Sequence, residues 1–297
     1  MKRFLLTSLA LLLTVVTMLG CSLEEVSPMN ASTTPEKMDA QSVGSEKLEV
    51  HYIDVGQGDS TLIKTPDSRY ILIDGGDNHK GDTVVDYLKK TGVQELDAVI
   101  ATHPDADHIG GLDTVINAIP VKSVYAPKVS HTTQTYKDFL LAVKNRNLKI
   151  KSAKGGLELP SDGLKASFIA PVGEYGKDLN AWSAVLRVTY KDTTFLFTGD
   201  AESKSEADML SSGSFLKADV LKVGHHGSDT STSMEFLNAV KPRYAVISAG
   251  KDNKYGHPKQ TILNRLKKAN AAVYRTDKQG TIIATSDGAS ISFRTEK

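Results

Sequence analysis

The stretch THPDADHIGG places His103, Asp105, Asp107 and His108 within six consecutive positions. Imidazole nitrogen and carboxylate oxygen are common ligands of divalent transition metals, and alternation at i and i+2 lets a loop turn His103 and Asp105 toward one ion. Asp107 and His108 are adjacent and cannot easily aim at that same ion, so the spacing points to a second ion nearby. Gly110 and Gly111 follow, letting the backbone turn tightly and begin a helix. An N-capping aspartate among surface histidines would explain one or two of these residues. Four ligand-capable groups in six positions favour metal.

Further groups stand where apolar runs end. Asp200 closes FLFTGD; Thr-Gly-Asp is by itself a common turn, but beside two ions a carboxylate can bridge them through its two oxygens. His225 and His226 follow ADVLKVG. Neighbours on an extended chain point to opposite sides, so one is expected to bind the second ion and the other to face substrate or protonate a leaving group. The spacing does not choose between them, and Asp107 and His226 are the candidates for a direct part in the chemistry. Gly227 and Ser228 then turn the chain toward the next helix. His257, in YGHP, stands at a loop and helix start and is a further candidate. His51, His79 and His131 lack such settings and read as surface or packing residues.

Groups so far apart in sequence meet only if strand ends bring them together. Short runs rich in β-branched residues, separated by Gly, Pro and Asp, predict strands at Leu48–Val55, Ser60–Thr65 and Arg69–Asp74. Helical spacing at Val84, Val85 and Leu88 leads to the strand LDAVIA, Leu96–Ala101, just before the histidine cluster. Helices are predicted at Leu112–Ala118 and Tyr136–Asn145, with strands at Ser123–Ala126 and Leu148–Lys151. A β-rich middle follows: Ala166–Ala170, then a hairpin of Ala184–Tyr190 and Thr194–Thr198 about Lys191 and Asp192. The last third predicts strands at Asp219–Val223 and Tyr244–Ser248, helices at Met234–Val240 and Gln260–Asn270, and a hairpin near Asp287 and Gly288. Two β-rich stretches, each followed by helices, imply an α/β fold with two packed sheets and helices outside, a four-layer αββα sandwich. In layered α/β folds the reactive crevice lies at strand termini.

The chain of 297 residues carries a formal charge of +1 and is 40% hydrophobic, which excludes a disordered or fibrous protein and offers no general basic excess for nucleic acid. Lys2 and Arg3 precede an apolar run, Phe4–Leu19, so residues 1–20 read as an export signal, short for a membrane span. The sole cysteine, Cys21, follows directly. This arrangement resembles a bacterial lipoprotein signal, in which the cysteine becomes the lipidated N-terminus, although Met18 and Leu19 stand where Leu and a small residue are usual. Residues 21–47 are then a lipidated cysteine and a solvated tether, and residues 48–297 the folded domain, held outside the cytoplasm at the cell membrane.

The clusters resemble the metallo-β-lactamase superfamily, with its His-x-His-x-Asp-His motif after a strand, a bridging Asp and downstream histidines. The closer resemblance is to the extracytoplasmic domain of the ComEC family of competence DNA-uptake proteins, through DVGQGDS, ILIDGG, THPDADHIGG, LFTGD, ADVLKVGHHGS, YAVISAG, YGHP and VYRTDKQG. It implies the αββα fold and a hydrolase using two divalent metal ions, and it points to Asp54, Gln57, Asp59 and Asp74 as residues bordering or bracing the site. Asp105 replaces the superfamily's second histidine, and LNAWSAVL, with Asn180 and Ser183, offers no histidine before Asp200. Fewer imidazoles leave an oxygen-rich site, which admits manganese as an alternative to zinc.

The expected reaction is hydrolysis of a phosphodiester, DNA foremost. His103 and Asp105 would hold one ion, Asp107, His108 and one of His225 or His226 the other, and Asp200 would span both. A run of Lys137, Lys144, Arg146, Lys149, Lys151 and Lys154 faces only Asp138 as counter-charge, and Lys251, Lys254 and Lys259 surround His257. Such runs can hold phosphates. The competing readings are a hydrolase of another ester, such as a cell-wall or phosphorylcholine phosphodiester, and a surface lipoprotein that binds DNA or a partner without turnover. The expected partners are the phosphodiester and, through the lipid, the membrane; no protein partner follows.

Overall fold

Alternation of apolar residues builds two sheets whose inner faces meet. In the computed structural model, which describes residues 47–161 and 163–297, the first sheet draws on β1 (Leu48–Tyr52), β2 (Thr61–Lys64), β3 (Tyr70–Ile73), β4 (Ala98–Ile100), β5 (Val124–Ala126) and β6 (Ile150–Ser152). The second uses β7 (Glu158–Leu159), β8 (Lys165–Ala170), β9 (Val185–Tyr190), β10 (Thr193–Phe197), β11 (Val220–Lys222), β12 (Tyr244–Ile247) and β13 (Ala272–Arg275). The last hairpin, β14 (Ile282–Ser286) and β15 (Ile291–Thr295), returns to the first sheet, whose order is β15-β14-β1-β2-β3-β4-β5-β6; the second runs β13-β12-β11-β10-β9-β8-β7. The export signal, Cys21 and all of the tether but Lys47 lie outside the described residues.

Period-two side chains divide each strand between two cores. Val50, Ile71, Ile73 and Ile100 of the first sheet meet Phe168, Leu186, Phe195 and Val246 of the second between the layers. Leu62, Leu72 and Val99 point the other way and are covered by helices α1 (Gly81–Lys90), α3 (Leu112–Ala118) and α4 (Gln134–Asn145). On the far side, Leu196, Leu221 and Ile247 are covered by α5 (Ser203–Ser211), α6 (Met234–Val240) and α7 (Gln260–Lys268). The result is the αββα sandwich expected from the sequence. Two short helices, α2 (Ala106–Ile109) and α8 (Thr276–Gln279), complete it.

Besides α2 and α8, three elements fall outside the expectation. Helix α5 turns Ser205, Glu206 and Met209 inward, and the Glu206 carboxylate accepts the Thr232 and Ser233 backbone N–H groups. A polar inner face satisfied by a distant loop carries no apolar periodicity. Strand β7 has two residues, and β13 is an edge strand without a fully buried residue.

The parallel runs position the site. In the first sheet β3 to β6 pair in parallel, and in the second β10 to β13 do so. The segments leaving β3, β4, β10, β11 and β12 carry, in turn, Asp74, His103 to His108, Asp200, His225 with His226, and Ser248.

Candidate metal centre

His103 precedes α2 and His108 lies within it; they are buried to 1% and 0% exposure, in a layer where an unpartnered polar atom is costly. Their Nδ1 atoms are engaged. The His108 Nδ1 lies 2.8 Å from Asp74 Oδ2, and the His103 Nδ1 lies 3.1 Å from Thr102 Oγ1, whose own hydroxyl donates to Asp74 Oδ2 at 2.7 Å. Asp74 also accepts the Thr102 N–H at 2.8 Å. One buried carboxylate thus holds two imidazoles by Nδ1 and leaves Nε2 as the nitrogen that presents a lone pair once its proton is released.

From the second sheet, Asp200 donates its N–H to Ser183 Oγ at 3.1 Å, and its Oδ1 lies 3.2 Å from His108 Nε2. His226 directs Nδ1 to the Ser248 carbonyl at 3.0 Å and to Asp59 Oδ1 at 3.3 Å. Its Nε2 lies 3.2 Å from Asp107 Oδ2 and 3.5 Å from Asp200 Oδ2. The premise of an extended chain at His225 and His226 is overturned: both are left-handed, at φ 46° and 52°, inside a tight turn spanning Gly224–Gly227. His226 turns inward and His225 stays at the rim, its Nδ1 2.7 Å from Glu202 Oε1 and its Nε2 3.7 Å from Asp200 Oδ2.

Among the described residues, four sets of ligand atoms lie within 4.8 Å of one another: His103, His108 and Asp200; Asp107, His108 and His226; Asp59, Asp74 and His108; and Asp59, Asp200 and His226. His108 belongs to the set with Asp107 and His226, the grouping expected from the sequence with His226 as its histidine, and it also joins His103 and Asp200. Asp105 stays outside these sets, with Oδ2 3.5 Å from His103 Nε2. The residues fit a metal centre on one observation: His103 Nε2, His108 Nε2, His226 Nε2 and Asp200 Oδ1 are buried without a hydrogen-bond partner. Native interiors rarely leave such atoms unsatisfied, and four lone-pair carriers aimed at one space suit a cation.

Electrostatics in the ion-free protein agree. Burial disfavours a charged His226, yet Asp200 and Asp59 outweigh it and push its pKa up to about 10. His108, equally buried, is held well above its ordinary value by Asp200 and Asp74. Asp200 is lowered well below its ordinary value against burial by His108 and His226. Protons here occupy the place of cations, so metal binding releases them.

The remaining candidates differ in their relation to this centre. Asp59 is buried, its Oδ2 2.7 Å from Lys222 Nζ, and its backbone N–H donates to Asp107 O at 3.1 Å. Gln57 Oε1 accepts the Gly250 N–H at 3.2 Å. Asp54 Oδ1 accepts the Gly56 N–H and its Oδ2 faces Lys297, so it braces its own loop. Asn180 Nδ2 donates to Glu202 Oε1 at 3.2 Å, and Ser228 Oγ meets Thr230 Oγ1 at 2.8 Å. His257 packs against His225, ring centroids 5.6 Å apart; burial, then His225 and His226, lower its pKa to about 4. Sequence reasoning passed over Thr102, Glu202, Lys222 and Ser248. Of these only Lys222, a charge inside the run ADVLKVG, left a signal.

A family model of the metallo-β-lactamase superfamily matches residues 53–251. Among curated relatives, the chain is 35% identical over 255 residues to ComE operon protein 3 of Bacillus subtilis, covering 80% of this chain and 33% of that one. It is 34% identical over 244 residues to competence protein ComA of Neisseria gonorrhoeae, covering 82% and 33%, and 32% identical over 239 residues to recombination protein 2 of Haemophilus influenzae, covering 79% and 28%. The chain therefore spans about a third of the length of the curated relatives it matches. Among solved structures, the metallo-β-lactamase-fold protein YhfI of Bacillus subtilis superposes with a TM-score of 0.52 at 12% identity, over 83% of this chain and 100% of that one. The metallo hydrolase Igni18 of Ignicoccus hospitalis gives 0.51 at 15% identity, over 80% and 98%.

Proposed function

Because the chain belongs to the metallo-β-lactamase superfamily, we propose that it is an exported, membrane-anchored, metal-dependent phosphodiesterase acting on DNA. The convergence of three buried, unpartnered imidazole Nε2 atoms with Asp200 Oδ1 carries this reading. His103, His108, His226, Asp107 and Asp200 would hold two divalent ions, zinc or manganese, with Asp105 at the edge. When bound, such a pair supplies Lewis acidity and a water ionised near neutral pH.

The chain's own groups orient and close the site. Asp74, Thr102 and the Ser248 carbonyl hold each imidazole with Nε2 facing inward. The Asp107 carboxylate, 31% exposed, stands at the mouth, where a substrate enters. With His226 in the buried set, His225 is the histidine left for proton transfer: Glu202 holds its Nδ1, and its Nε2 hands a proton to the departing alkoxide. The printed names of the relatives, a competence protein and a recombination protein, support DNA as the substrate class. Lys2, Arg3, the apolar run to Leu19 and Cys21 support export and a lipid anchor, with residues 21–47 as tether and 48–297 as the enzyme.

Elemental analysis of the purified protein should find close to two ions, with His108→Ala and Asp200→Ala losing metal and at least 100-fold of the turnover, roughly what the loss of a main electrostatic group costs. Single-stranded DNA, double-stranded DNA, RNA and bis-p-nitrophenyl phosphate form the substrate panel. Turnover of the small diester without cleavage of any nucleic acid would remove DNA from the proposal; absence of metal and of all turnover would leave a binding protein. Cys21→Ala should move the protein out of the membrane fraction, and unchanged fractionation would overturn the anchor.

A further inference from the structure

A groove of 760 Å³ lies beside the metal centre, lined among others by Lys128, Ser152, Lys154, Val172, Glu174 and Trp182. The topology puts it there. Strands β5 and β6 run parallel to β4 along one edge of the first sheet, so Lys128 and Lys154 leave from the same end as the His103 loop. Two bonds tie its Trp182 wall to the centre: Ser183 Oγ accepts the Asp200 N–H at 3.1 Å, and Ala184 N–H donates to Thr102 O at 2.9 Å. Val129 packs on Tyr175 and Trp182, and with Pro127 it also lines a smaller apolar hollow that includes His103 and Pro104. Trp182 is thus next in sequence to a residue bonded to Asp200, and Lys128 is next to two residues that share a hollow with His103.

Its charge matches an anionic chain. The basic run from Lys137 to Lys154 is partly consumed by the fold: the Arg146 guanidinium donates to the Ile116 and Asn117 carbonyls, and Lys151 donates to Ser123 Oγ. Lys128 and Lys154 are exposed and, among the described residues, make no ion pair. Val172, 45% exposed, adds an apolar surface to the same lining, and Glu174 adds one acidic group. Ammonium groups beside an apolar surface suit a chain of phosphates whose bases are free to be contacted; a duplex hides its base faces in the stack.

We propose that this groove binds the single-stranded nucleic acid that flanks the scissile phosphate. The inference rests on the phosphodiesterase reading and adds where the rest of the substrate lies. A small diester reaches the centre without entering the groove, so the two readings separate experimentally.

The test uses the full chain in detergent, carrying Lys128→Glu with Lys154→Glu, against a control of equal charge change, Lys267→Glu with Lys268→Glu, at exposed positions on α7. The quantity read is kcat/KM for a single-stranded oligonucleotide divided by that for bis-p-nitrophenyl phosphate. The groove variant should lower this ratio at least tenfold while the control does not, and should flatten the dependence of log affinity on log salt by about 1.4, at roughly 0.7 per phosphate contact. A ratio unchanged from wild type, or a control that falls equally, overturns the groove. Should wild type hydrolyse neither substrate, the phosphodiesterase reading is lost, and anisotropy of a labelled oligo-dT decides the groove alone: tenfold weaker binding by the variant supports it, while equal binding, or none by wild type, overturns it. Competition by poly(glycerol phosphate) as strong as by oligo-dT overturns the nucleic-acid assignment.

Discussion

Lys222 ends β11 with 2% exposure, its Nζ 2.7 Å from Asp59 Oδ2 and donating to the Val223 carbonyl at 2.9 Å. Five carboxylates, of Asp59, Asp74, Asp105, Asp107 and Asp200, gather around the centre; two divalent ions and one ammonium carry as much positive charge as these carry negative. A buried pair adds little over apolar packing, but stripping one partner strands the other's charge. Lys222→Met should therefore cost about 3–5 kcal/mol in urea unfolding, and adding Asp59→Asn should recover more than half; a double variant no better than the single one would refute the pairing argument. His51 behaves differently. Buried on β1 with Nδ1 2.8 Å from the Tyr87 hydroxyl, it has a pKa lowered by burial against the pull of Glu49. Because its folded value lies below the unfolded one, the unfolded chain binds more protons in acid, and stability present above the unfolded value is lost as pH falls toward the folded one. In chelator, His51→Phe should lessen the loss of stability below about pH 6.5, read as the difference from wild type in a pH series of melts.

At the scale of elements, the turn carrying His108 depends on close approach rather than on unusual dihedrals. Gly110 and Gly111 have φ of −61° and −88°, open to any residue, so the conformational freedom expected of the pair is not what the turn uses. A β-carbon at Gly111 would lie 2.3 Å from the Gly75 carbonyl, and one at Gly110 would lie 2.3 Å from the Asn78 nitrogen. Both glycines let α2 and α3 press against the end of β3, which sets Asp74 against His108. Gly111→Ala should destabilise by about 1–3 kcal/mol, as overpacking does, and weaken metal binding in a titration with manganese, since the displaced turn is the one that holds His108. Unchanged affinity would mean that the turn can shift without moving the ligand. The paired left-handed histidines work by dihedral angle instead: that curl after β11 turns His226 into the interior and leaves His225 outside.

For the whole molecule, the centre is a seam. His103, Asp107 and His108 come from the first sheet's connections, Asp200 and His226 from the second's, so ions held between them would join the two halves of the sandwich. A ligand that binds only the folded state stabilises by about 4 kcal/mol at a thousandfold excess over its Kd. Calorimetry should accordingly show a single transition that drops markedly on adding chelator and returns with manganese or zinc. A melting temperature indifferent to chelator would argue that these side chains do not gather ions. Much of this design was legible beforehand: the LDAVIA run, the FLFTGD turn and the alternation of strands with helices located the layers and the strand ends. Helix α5 escaped because its inner face is polar and satisfied by residues 232 and 233, a contact without local periodicity.

The sequence by itself determined which chemistry was available and which elements would carry it, because ligand type and hydrophobic period are local properties. Only the tertiary structure decided how the ligands group, that His226 rather than His225 turns inward, and that Thr102, Glu202, Lys222 and Ser248 take part. Those outcomes depend on residues as far apart as Asp59 and Ser248 arriving at one point, and on the hydrogen bond each ring makes once it is there. Neither is encoded in the spacing of neighbours along the chain.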